Sequence, residues 1–86
     1  MQFNNDIRDL GDAIRTRDAG NISKIAHSMK GASLNMYFTH MTALTIRIES
    51  HTRDLDFDAL EGVFAELVTE WHLVHNVLKE IVDRNH

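Results

Sequence analysis

Residues 60–82 read LEGVFAELVTEWHLVHNVLKEIV, and Leu60, Val63, Phe64, Leu67, Trp71, Val74, Leu78, Ile81 and Val82 recur mostly at steps of three and four. Such steps place apolar side chains on one face of an α-helix. The pattern predicts one unbroken helix of ~25 residues, roughly 38 Å long at 1.5 Å per residue. Just before it, Asp54, Asp56 and Asp58 mark a loop. Asp58 followed by Glu61 has the spacing of a capping box, with aspartate in the place usually held by Ser or Thr.

Three shorter segments lie upstream. His40 to about Arg53 carries Met41, Leu44, Thr45 and Ile48 on one stripe, with Thr52 or Leu55 closing it. Ala19 to Phe38 carries Ile22, Ile25, Ala26, Met29, Ser33 and Met36, with Thr39 placed to end this helix and cap the next. Phe3 to Arg17 carries Phe3, Ile7, Leu10 and Ile14, weakened at Gly11 by roughly 1 kcal/mol relative to alanine. Asp18 reads as the N-cap of the second helix. The chain of 86 residues has no proline and four glycines, as helices require. Four amphipathic helices with short connections predict an all-α, up-down-up-down antiparallel four-helix bundle, with residues 1–86 forming a single domain.

Composition narrows the function classes. The absence of cysteine removes disulfide scaffolds and Cys-based zinc sites. Thirteen acidic against nine basic residues give a net charge of −4 with the cations scattered, so a nucleic-acid interface is not expected. No apolar run approaches the ~20 residues of a membrane span. The start, Met-Gln-Phe-Asn-Asn-Asp, has neither the basic nor the apolar region of a signal peptide. The expectation is a cytoplasmic monomer.

One residue stands off the core pattern. At about 100° per residue, with Ile22 at zero, the second helix puts His27 near 140°, Leu34 near 120°, Phe38 near 160° and Gly31 near 180°. A histidine thus shares the solvent side with a leucine, a phenylalanine and a glycine. An apolar patch around one titratable group suits a docking partner, and the glycine leaves the backbone approachable. Neutral imidazole is a competent nucleophile near neutral pH. Lys30, one turn on, is placed to offset charge on a group that His27 carries. The plain alternative is a surface histidine among stray apolar residues, which is common.

Ala26-His27-Ser28-Met29-Lys30-Gly31-Ala32-Ser33 closely resembles the phosphoacceptor motif of histidine-containing phosphotransfer (HPt) domains, commonly written AHxLKGxS. Asp18 sits where that family often starts this helix. Met41, Leu44 and Ile48 fill its apolar positions on the following helix, and Glu49, nineteen residues after Lys30, matches an acidic residue that commonly follows. The resemblance covers roughly residues 5 to 55 by motif and the remainder by helical pattern. It implies that His27 accepts a phosphoryl group from the aspartyl phosphate of a response-regulator receiver domain and passes it to another receiver. Lys30 would be the nearby cation and Gly31 the point of receiver access. Lys24, Leu34 and Phe38 would bind the partner. Relatives use Nε2 of the histidine, and the receiver supplies the magnesium, so no cofactor or metal of the chain's own is expected. A hybrid sensor kinase is a further expected partner. Many members carry glycine seven residues after the lysine; here that position is Tyr37, which bears on the turn into the third helix and on receiver choice.

Other constellations are weaker. His72 and His75 are three apart on the last helix, but the Glu-x-x-His pairs of di-iron bundles are missing. His40 and His51 fall on different faces and His86 at the terminus, so no metal site is expected. Glu66 and Glu70 read as a solvated face, and Trp71 as core. Without a Gly-rich phosphate loop, ATP-dependent self-phosphorylation is not expected, so the chain reads as a phosphocarrier and not an enzyme. The dimerisation helices of sensor kinases also display a histidine, usually followed by an acidic residue and, four positions on, a proline; Ser28 and Gly31 stand there instead. The reading of a different class is a four-helix interaction domain that docks a partner through Leu34 and Phe38 without phosphochemistry.

Overall fold

The computed structural model describes residues 3–84. It holds four helices: α1 Phe3–Arg15, α2 Ala19–Asn35, α3 Thr39–Arg53 and α4 Phe57–Arg84. Each packs against its neighbour in sequence and α4 closes onto α1, giving the four-helix bundle that the periodicity predicts. The core is built from one stripe per helix, including Leu10 and Ile14, Ile22 and Met29, Leu44 and Ile48, and Leu60 and Leu67. The buried hydroxyls of Thr45 and Thr52 donate back to Thr42 O at 2.8 Å and Ile48 O at 2.6 Å, so burial leaves neither unpaired. Gly11 has a positive role: a Cβ there would stand 2.9 Å from the Phe64 ring, and its absence lets α1 pass close to α4.

The three joints share one construction. Each is three residues long, and its middle residue, Arg17, Tyr37 or Leu55, takes a left-handed φ of 57°, 59° or 54°. The next residue donates its N–H to the carbonyl five residues back, Asp18 to Ala13 O, Phe38 to Ser33 O and Asp56 to His51 O. This is the Schellman ending of a helix. The residue closing each joint then sits at the N-cap of the next helix, so the chain reverses with no spare residues.

Several boundaries differ from the sequence expectation for this reason. α2 stops at Asn35, not Phe38, because Tyr37 leaves the right-handed region. Met36 is consequently exposed, and Phe38 is turned back toward the core with its ring 6.2 Å from that of Phe3. Phe38, not Thr39, is the N-cap of α3, and it offers no side-chain cap. Asp56, not Asp58, caps α4: its carboxylate accepts from Ala59 N at 3.1 Å, while Asp58 lies inside the first turn. Asp18 does cap α2, accepting from Asn21 N at 3.2 Å. Thr52 closes the α3 stripe, and Leu55 is exposed at the left-handed joint.

The long apolar stripe of α4 is buried only as far as Trp71. Val74 packs against the core, whereas Ile81 and Val82 are half exposed. The cause is length: 28 residues of α4 make about 42 Å, against about 20 Å for the 13 of α1. Trp71 marks the end of the shared core. Its ring stacks edge-on against Phe3 at 5.1 Å, and its Nε1–H donates to Asn4 Oδ1 at 2.7 Å. No described helix is long and apolar enough to cross a membrane.

Candidate functional site around His27

α2 buries Ile22, Ala26, Met29 and Ser33 against the bundle. His27, one residue past Ala26, therefore points outward, with 77% of its side chain exposed. α3 is the neighbour that shapes its surroundings. Ile48 is fully buried, which leaves Glu49 at the seam between α3 and α2 with only 20% of its side chain exposed. Glu49 Oε2 accepts from Lys30 Nζ at 3.2 Å. Its other oxygen, Oε1, is buried without a hydrogen-bond partner and lies 3.8 Å from His27 Nδ1. That distance is too long for a hydrogen bond, yet Nδ1 is the group that the unpaired oxygen faces.

Gly31 sits one turn beyond His27 in open space: a Cβ there would meet nothing within 4 Å. No packing need inside the molecule accounts for a glycine in this helix. Leu34, on the same side, is 57% exposed. Lys24, like His27, is on the outer face of α2 and lines the same cavity as His27, Glu49, Ser23 and Arg53. Phe38 is the one residue of the expected docking set that the fold takes away, since the end of α2 at Asn35 turns it onto Phe3. Tyr37 stands out in its place, 90% exposed.

Arg53 lines this cavity too, though its position off the motif gave no direct sign of it. It lies four residues after Glu49, so it shares a helical face with it; that spacing was the available signal. Glu70, read as part of a solvated face, is instead the partner of His40, whose Nδ1 lies 3.0 Å from Glu70 Oε2. Glu66 pairs with Arg47 across the same α3–α4 seam. His75 is exposed and stacks on Trp71, with ring centroids 5.5 Å apart. His86 lies outside the described residues. Among the described residues, no three His, Cys, Asp or Glu side chains cluster as a metal site would need.

The Hpt domain family model matches residues 2–84. The chain belongs to the Hpt domain family. Hpt domains are histidine phosphotransfer modules of phosphorelays, not kinases, and they interact with receiver domains. No curated protein and no solved structure matches the chain.

Proposed function

We propose that this Hpt domain is a monomeric cytoplasmic relay intermediate in which His27 takes a phosphoryl group from the aspartyl phosphate of one receiver domain and passes it to another. The supporting observation is the exposed imidazole whose Nδ1 faces the unpaired, buried oxygen of Glu49. A carboxylate at that place favours the tautomer with the proton on Nδ1, leaving the Nε2 lone pair free to attack. As the Nε2–P bond forms, the bond between phosphorus and the aspartyl oxygen breaks and the carboxylate leaves. The ring keeps its Nδ1 proton and becomes a phosphorylated imidazolium, so no base has to remove a proton. Its positive charge develops beside Glu49, which stabilises it where it appears. The reverse sequence at a second receiver returns the imidazole to neutrality.

Lys30 binds Glu49 and fixes the carboxylate in place. Gly31, Lys24 and Leu34 form the surface on which a receiver settles, with Gly31 permitting close backbone approach. A hybrid sensor kinase carrying such a receiver is the natural donor.

Transfer from phosphorylated receiver domains tests this reading, with wild type and His27→Gln compared. The expected result is acid-labile, base-stable phosphate on the wild type only. Receiver binding without label on the wild type would reduce the chain to an interaction domain. Label on the glutamine variant would move the phosphoacceptor to another histidine.

A further inference from the structure

A phosphoryl group on His27 brings two negative charges to a surface of a chain whose net charge is −4. Lys30 is the obvious counter-charge by position, but its ammonium is already held at 3.2 Å by Glu49. That contact directs the Lys30 ammonium to Glu49 Oε2. Most other cations are committed too. Arg8, Arg15, Arg47 and Arg84 each hold a carboxylate, and Arg17 lies over the Phe57 ring.

Lys24, Arg53 and Lys79 remain, with no ion pair among the described residues. Two of these three line one cavity, and that cavity is the one containing His27 and Glu49. They approach it from different walls, Lys24 from α2 and Arg53 from α3. Lys24 also borders the groove between α1 and α2, where Asp6, Asp9 and Asp12 share its field. Arg53 lines the cavity beside His27 and Glu49 and has no ion pair among the described residues. A guanidinium presents several N–H donors in a fixed plane, which suits phosphoryl oxygens.

We infer that the Lys24–Arg53 wall is a phosphoryl-oxygen subsite, with the Arg53 guanidinium donating to the oxygens of the group on His27 Nε2. This rests on His27 being the phosphoacceptor. Arg53 is then a catalytic residue of the transfer, because it holds the oxygens as the Nε2–P bond forms and while the phosphorylated imidazolium persists. Lys24 adds a weaker, more distant charge. Lys30 acts through Glu49 as a positioning residue.

Phosphoramidate, a small phosphoryl donor that needs no receiver, tests the subsite directly. It phosphorylates imidazole with release of ammonia, so any effect on labelling is separate from docking. Wild type, Arg53→Gln, Arg53→Lys and His27→Gln are labelled in parallel, and 31P NMR follows both the labelling rate and the hydrolysis of the phosphohistidine. The expected result is labelling about 10- to 100-fold slower for Arg53→Gln, a shorter phosphohistidine lifetime, and partial recovery in Arg53→Lys. Wild-type labelling and lifetime in Arg53→Gln would overturn the subsite while leaving His27 in its role. Wild-type chain that takes no label, or His27→Gln labelled as fast as the wild type, would remove the phosphoacceptor reading and the subsite with it. Arg53 is exposed on the last turn of α3, so neither substitution opens a core cavity, and circular dichroism of both variants verifies the fold.

Discussion

Gly31 isolates the residue-scale question, because stability and function pull on it in opposite directions. It lies inside α2, where glycine costs roughly 1 kcal/mol relative to alanine, and nothing in the molecule fills the space a methyl would take. Gly31→Ala is therefore expected to raise the unfolding free energy by about 0.5–1 kcal/mol in urea titration. The same methyl would stand between a receiver and the α2 backbone beside His27. Transfer from a receiver should weaken through a higher half-saturating receiver concentration, with little change in the rate once bound. A destabilised variant, or one with unaltered receiver affinity, would remove the access role. Much of this site was legible in the chain: the helical wheel singles out His27 and Gly31, the motif adds Lys30, and the family resemblance adds Glu49. What the wheel could not show is that Glu49 Oε1 is left without a hydrogen-bond partner and that Arg53 lines the same cavity as His27 with no ion pair among the described residues. Those facts depend on which partners the other helices bring, and periodicity within one helix carries no information about them.

At the scale of the elements, the joints hold the differences between expectation and structure. Each of the three turns on a left-handed residue that is not glycine, a conformation costing roughly 1–2 kcal/mol for an L-residue. Glycine is the usual signal of such an ending, and its absence at Arg17, Tyr37 and Leu55 hides the joints from a reading of the chain. Extending α2 through Tyr37 placed Phe38 on the solvent side, where a continued helix would have put it; the reversal puts it against Phe3 instead. The start of α4 shows the same limit, since Asp56 and Asp58 are both plausible caps by spacing alone. Only the bond from Ala59 N to the Asp56 carboxylate separates them. Asp56→Ala is expected to lower stability by about 1 kcal/mol. Asp58→Ala is expected to cost only the weaker attraction of a first-turn carboxylate to the helix N-terminus, about 0.3–0.5 kcal/mol. Paired thermal melts at two salt concentrations check this, because the Asp58 effect should shrink with salt and the Asp56 effect should largely persist. Equal losses at both positions would restore the capping-box assignment.

For the whole molecule, the long axis of 45 Å against widths of 20 and 18 Å follows from α4 outrunning the three helices it packs on. Stability is consequently concentrated in the half of α4 that has partners. Leu60, Val63, Leu67 and Trp71 are buried, while Val77, Ile81 and Val82 are half exposed on the same helix. Trp71 joins the two ends of the chain's packing, holding Phe3 by its ring and Asn4 by its Nε1–H. Trp71→Ala removes that aromatic contact and opens a cavity between α1 and α4, with an expected cost of about 3–5 kcal/mol. For a domain of this size such a loss is a large share of the total. Removing residues 79–86 takes away the exposed side chains of residues 79–84, so its expected cost is about 1 kcal/mol or less. Urea unfolding of the two variants beside the wild type separates these cases. A truncation as costly as Trp71→Ala would show that the outer turns of α4 belong to the cooperative unit, whereas the expected order places them outside it and leaves the bundle that presents His27 intact.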